Sequence, residues 1–316
     1  MITGIRRCGK STLMAQYQEK LLQSGVDAGQ IIAINLEDYA FVDLLDPKKL
    51  HAYVLERVFP GKKAYVFLDE VQNVPDFQRV VDSLFLRDNI DLYVTGSNAC
   101  MLSGELATLL TGRYVTIEML PLSFAEYVSW TGDKCDLQRK YTNYLEQSSF
   151  PYATELGGDV RAVDEYLQGI YSTIVLKDVV GRLRNVDPMM LESILRFVFD
   201  SIGNRLSTKK IADTLTSMGR KSDARMVERY LSAFIDSYIL YRVHRYDVKG
   251  KQHLKTLEKY YVADIGLRYM LLGRKHADTG HILENVVYLE LIRRGYSVYV
   301  GKVDDQEVDF VAENRD

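Results

Sequence analysis

The chain has 316 residues, 47% of them hydrophobic and 26% charged, with a formal net charge of −3. These values describe an ordinary globular protein long enough for two or three domains, and they exclude any global electrostatic pull toward nucleic acid, so such contact needs a local patch. No apolar run approaches the ~20 residues of a membrane span, no secretory leader pattern follows Met1, and the three cysteines lack metal-ligand spacing and suit a reducing cytosol. Among the histidines, His276 and His281 have neither acidic nor thiol company that makes a zinc set. No internal repeat or low-complexity segment is present.

The chain opens on Gly4-Ile5-Arg6-Arg7-Cys8-Gly9-Lys10-Ser11, the G-x-x-x-x-G-K-[ST] spacing of a phosphate-binding loop. Glycines at both ends let the backbone curl until successive N–H groups face phosphate oxygens. The expected ATP-binding residues are Gly4, Arg6, Gly9, Lys10, Ser11 and Thr12. In this reading Lys10 reaches the β- and γ-phosphates, and the Ser11 hydroxyl ligates Mg²⁺. Residues 11–22 read as a helix whose positive end faces the phosphates. A buried strand usually runs about five residues, yet only Met1, Ile2 and Thr3 precede the loop. The expectation is a shortened central strand and a native chain that begins upstream.

Residues 31–36 form a second apolar strand. Ala64-Tyr65-Val66-Phe67-Leu68 is a continuous run of strand formers, the pattern of a strand buried on both faces. It closes on Asp69-Glu70, and carboxylates are expelled from cores unless partnered. Beside a phosphate loop, Asp69 is expected to hold the Mg²⁺ shell and Glu70 to polarise the attacking water. Residues 75–85 read as a helix. A further strand from Asp91 ends in Thr95-Gly96-Ser97-Asn98. Thr95, Ser97 and Asn98 are alternatives for a polar group that orients the water, and an ordinary Gly-Ser-Asn turn is equally compatible. Within Leu109-Leu110-Thr111-Gly112-Arg113-Tyr114-Val115, Arg113 stands at the junction of a helix and the next strand. It suits a phosphate-contacting finger, in cis or in trans, or a structural salt bridge. Strands alternating with helices give a doubly wound α/β fold with a parallel sheet over 1–130.

These residues resemble a prokaryotic AAA+-like ATPase family related to the STAND signalling ATPases, in which the ATPase precedes a C-terminal domain of unknown function. The loop, the Asp69-Glu70 strand end and Thr95-Gly96-Ser97 carry part of the likeness. More specific strings are Pro121-Leu122-Ser123-Phe124-Ala125-Glu126-Tyr127, Tyr171-Ser172-Thr173-Ile174-Val175-Leu176-Lys177-Asp178 and Lys259-Tyr260-Tyr261-Val262-Ala263-Asp264-Ile265-Gly266-Leu267. The resemblance implies a P-loop NTPase, ATP and Mg²⁺ as ligands, and a nucleotide-driven switch in the cytoplasm. It leaves the biological role unassigned.

Beyond Gly132 the pattern turns helical. A helical linker is expected over 131–190 and a winged-helix-like domain over 191–264. The latter has helices at 191–202, 208–218 and 222–237, with Ser207 at an N-cap, then a hairpin around Lys249-Gly250-Lys251. Arg220, Lys221, Arg225 and Arg229 with the hairpin lysines offer DNA phosphate contacts, diluted by Asp223, Glu228 and Asp236. The alternative is a regulatory lid, with a protein partner or self-association. Residues 265–316 resemble the opening of a PD-(D/E)xK nuclease. Glu284 is the helix acid and Asp309 a strand acid, and the later strand with its acid and lysine is absent. Catalysis by this partial segment is not expected.

Overall fold

The computed structural model describes residues 1–99, 113–132, 136–181, 183, 186–247, 252–274, 278–303 and 306–314. Two compact units emerge: Met1–Gly4 with Gly9–Met119, and Ile5–Cys8 with Leu120–Asp316.

In the first unit, strand β1 (Ile2–Gly4) leads toward helix α1 (Lys10–Gln23). Gly4 has φ 142°, and Gly9 caps α1 at φ 106°, backbone positions that glycine occupies without steric cost. The unit continues through β2 (Ile31–Asn35), α2 (Pro47–Arg57), β3 (Ala64–Asp69), α3 (Phe77–Phe85), β4 (Ile90–Gly96) and β5 (Ile117–Met119). Helix α2 starts where local chemistry dictates: Asp46 accepts the Lys48 and Lys49 N–H groups, and Pro47 occupies the first turn. Helix α3 begins later than 75 because Asp76 is left-handed at φ 50°, a conformation no helix can contain.

The strands form one sheet in the order β2-β3-β4-β1-β5, and every pairing is parallel. This is the parallel α/β architecture that strand–helix alternation predicts. Strand β3 explains its own apolar run: Val66 and Leu68 enter one core cluster and Phe67 the other, so both faces are buried. The short β1 lies between β4 and β5, with Ile2 opposite Thr95 and Ile117. Parallel strands end on one edge, so Gly4, Asp69 and Gly96 share the carboxyl edge of the sheet, where open α/β sheets hold ligands. Residues 109–112 of the expected helix–strand junction lie outside the described residues.

The second unit holds α4 (Phe124–Trp130), α5 (Leu137–Gln147), α6 (Pro151–Glu155) and α7 (Val160–Thr173), which runs into a π-helical segment, Ile174–Val180. Then come α8 (Pro188–Asp200), α9 (Thr208–Ser217), α10 (Ala224–Asp236), the antiparallel pair β6 (Leu240–Asp247) and β7 (Gln252–Val262), α11 (Ile265–Leu272), α12 (Thr279–Arg293), β8 (Ser297–Val303) and β9 (Gln306–Glu313). Ser207 caps α9, accepting the Lys210 N–H at 3.2 Å. The turn at Lys249 and Lys251 lies outside the described residues, as do Cys100, Cys135 and His276.

One boundary drawn from sequence falls between strands that share a sheet. Strands β8 and β9, assigned to a separate end segment after residue 264, join β6 and β7 in a single sheet of order β7-β6-β8-β9. Strand β6 pairs parallel with β8, Arg245 opposite Val300. The pairing satisfies an edge of β6 that would otherwise stay open. Periodicity identifies strands but not their neighbours. Among the described residues no helix is long and apolar enough to cross a membrane.

Candidate functional site

The carboxyl edge of the first sheet carries a connected polar group. Lys10 is only 4% exposed; its Nζ donates to the Gly4 carbonyl at 2.9 Å and lies 4.0 Å from Glu70 Oε1. A buried ammonium requires partners of this kind. Asp69 and Glu70 are each 8% exposed at the end of β3. Thr95 links them, its hydroxyl donating to Asp69 Oδ1 and accepting the Glu70 N–H at 3.0 Å. Glu70 itself is left-handed at φ 53°, an uncommon conformation outside glycine that turns its side chain away from the strand line. Ser97 Oγ donates to Glu70 Oε2 at 3.1 Å. Gln72 Nε2 donates to the same oxygen and to Ser97 Oγ, the latter at 3.3 Å.

The start of α1 leaves its backbone donors without side-chain partners. No side chain caps it and its first turn contains no acid, in contrast to α2 with its Asp46 cap. Helix N-termini left this way offer backbone donors and a positive dipole end to phosphate. Ser11 and Thr12 are exposed in that first turn.

Thus Gly4, Lys10, Asp69, Glu70 and Thr95 come together, with Ser97 joined through Glu70. Asn98 is buried directly after Ser97. Arg113 is exposed, and no hydrogen bond or ion pair among the described residues joins it to this group. Arg6 is differently occupied: its Nε and Nη2 fork the Asp178 carboxylate at 2.7 and 3.0 Å. Sequence reasoning gave no role to Asp178 or to Gln72. Asp178 had one signal, an acid inside the apolar run Ile174-Val175-Leu176-Lys177-Asp178-Val179-Val180. Gln72 had none.

A second cluster joins β7 to the stretch expected from sequence to resemble a nuclease opening. The Lys259 ammonium, on β7, lies 2.7 Å from both Glu284 Oε1 and Glu307 Oε1, and the Tyr261 hydroxyl also donates to Glu284. Burial opposes the charge on Lys259, but the two carboxylates raise its pKa overall. Glu284 therefore faces an internal cation, while Asp309 stands exposed on β9. Among the described residues no group of three or more His, Cys, Asp or Glu is arranged to hold a metal ion.

A family described as an AAA domain matches residues 1–128, and a domain of unknown function matches residues 138–278. An uncharacterized protein of Haemophilus influenzae is 37% identical over 322 aligned residues, spanning 100% of this chain and 80% of the relative. The chain belongs to that protein's family. A second member, an uncharacterized protein of Methanocaldococcus jannaschii, is 30% identical across 98% of this chain and 71% of its own length. The AAA match spans the whole polar group at the sheet edge, from Gly4 to Asn98. Among solved structures, Cdc6p from Pyrobaculum aerophilum aligns with 91% of this chain and 88% of its own, at 13% identity and a TM-score of 0.33. That likeness is too loose to carry an argument.

Proposed function

We propose that this AAA-domain protein binds ATP with Mg²⁺, hydrolyses it and acts as a nucleotide-driven switch. The observation that carries the reading is the joined group at the sheet edge, in which Thr95 ties Asp69 to the Glu70 backbone while Ser97 and Gln72 hold the Glu70 carboxylate. The uncapped, acid-free start of α1 and the left-handed glycines fit a triphosphate. Gly4 and Gly9 shape the cradle, Lys10 exchanges its Gly4 and Glu70 contacts for phosphate oxygens, and Thr12 flanks it. Mg²⁺ is usually held by one or two protein oxygens plus phosphates and water, so the Ser11 hydroxyl and Asp69 suffice for it. When bound, the ion neutralises charge on the phosphates. Glu70 takes the proton of the attacking water, and Thr95 and Asn98 help order the groups around it. Arg113, exposed, is the group left to meet phosphate from outside.

The full chain tests this directly. MgATP should raise the melting temperature, and Lys10→Ala should abolish that rise. Glu70→Gln should keep the rise and lower turnover by about 100-fold or more, the span of general-base catalysis. A Lys10→Ala chain that responds to ATP as the unaltered chain does would overturn the reading.

A second reading, duplex DNA binding through the winged-helix-like arrangement of α8, α9, α10 and the β6–β7 pair, has its own support. Arg225 and Arg229 are exposed four residues apart on α10, hence on one face. Two acids that dilute the charge in sequence are otherwise engaged: Asp223 caps α10 through the Met226 N–H, and Glu228 pairs with Arg242 at 2.9 Å. Arg220 is anchored to Met189 and Ser193 instead. If DNA binds here, the double change Arg225→Ala with Arg229→Ala lowers the slope of log affinity against log salt by about 2. Affinity that is flat across salt rejects it.

A further inference from the structure

We propose that Gln72 is a further catalytic residue, its side-chain carbonyl holding the attacking water while its amide fixes Glu70; the inference rests on the ATPase reading above. Gln72 sits in the short 3₁₀ turn Val71–Asn73 that follows Glu70. The left-handed backbone of Glu70 begins that turn, and it brings the residue two positions on back over the carboxylate. Gln72 Nε2 donates to Glu70 Oε2 and to Ser97 Oγ. An ionised carboxylate only accepts, so the amide nitrogen must face Glu70 and the carbonyl must face away. The orientation of the amide is dictated by chemistry.

That carbonyl oxygen is buried and, among the described residues, has no hydrogen-bond partner. Buried side-chain acceptors are paired in the large majority of cases, and an exception marks either an ordered water or a functional role. Both apply here. A carboxylate has about four acceptor positions, and Gln72 and Ser97 occupy two at Glu70 Oε2. A water that donates one hydrogen to Glu70 and the other to Gln72 Oε1 is held at two points, with a lone pair directed away from both. As its oxygen bonds to the γ-phosphorus, the bond from that phosphorus to the bridging oxygen breaks, and ADP leaves with the electron pair. The water's proton passes to Glu70. An amide carbonyl is too weak a base to take it, so Gln72 contributes orientation alone.

The test uses the full chain and Gln72→Met, which keeps the length of the side chain and removes both its donor and its acceptor. Steady-state turnover should fall 10- to 100-fold in kcat with KM for MgATP within twofold, the pattern of an interaction made only in the transition state. Independently of turnover, the melting temperature should rise as in the unaltered chain with ADP plus beryllium fluoride, a ground-state mimic. The additional rise with ADP plus aluminium fluoride, which mimics the in-line transition state, should be lost. Unaltered kcat, or an equal loss of both nucleotide complexes, overturns the role given to Gln72. If the unaltered chain shows no rise with any nucleotide, or binds without turnover, it is the ATPase reading that falls and this inference with it.

Discussion

Arg6 and Asp178 are 172 residues apart and meet through two near-parallel hydrogen bonds, with side chains only 11% and 3% exposed. Charges this buried depend on each other, because removing one takes from the other its desolvated counter-charge. Asp178→Ala is therefore expected to cost about 3–5 kcal/mol of stability, read as a lower urea midpoint, and Asp178→Asn less, because an amide oxygen still accepts from Arg6. An Asp178→Ala chain with an unchanged midpoint would contradict the pairing. The loop spacing marked Lys10, and the strand end marked Asp69 and Glu70, because the chemistry at those positions admits few residue types. It left the interior positions of the loop open, so the partner of Arg6 was not legible. Gln72 was hidden for another reason. Its importance arises from the left-handed turn at Glu70, which no local sequence preference announces.

At the level of elements, β3 and its acid pair could be read outright because a strand buried on both faces leaves an unbroken apolar run. The π-helical segment Ile174–Val180 could not, since its apolar spacing resembles that of the α-helix it extends. Helix α4 shows how a string noted only as family-specific acquires a physical cause. Ser123 Oγ accepts the Glu126 N–H at 3.1 Å, and Glu126 Oε2 accepts the Ser123 N–H at 2.7 Å, a reciprocal capping box. Burial pushes the Glu126 carboxyl up, but the Ser123 backbone and hydroxyl donors and Arg293 together hold it below its ordinary value near 4.5. A carboxyl lowered in the folded state stabilises above that ordinary value, and the stabilisation disappears as pH falls through the folded value. Ser123→Ala should cost about 1 kcal/mol near neutral pH. Glu126→Gln should cost less, since Glu126 is well exposed and screened; its deficit in urea midpoint should be present at about pH 7 and vanish at about pH 3. A deficit that persists in acid would show that the charge of Glu126 is irrelevant.

For the molecule as a whole, the order of strands was the least legible feature. Five strands with crossover helices admit several parallel orders, and the position of β1 between β4 and β5 follows from packing that no single segment encodes. The second unit was read as successive pieces because each piece has its own periodicity, yet its sheet is closed by the parallel pairing of β6 with β8. That pairing has a consequence for how the chain is made. Strand β6 leaves the ribosome well before β8 exists, and a parallel partner must be brought back across α11 and α12 at a cost in loop-closure entropy. During that interval one flank of β6 is an open template for foreign strands. Arg242 and Arg245 lie along it, charges of the kind that discourage edge-to-edge association until the native neighbour arrives. In the finished sheet Arg245 is buried, and among the described residues its Nε has no partner.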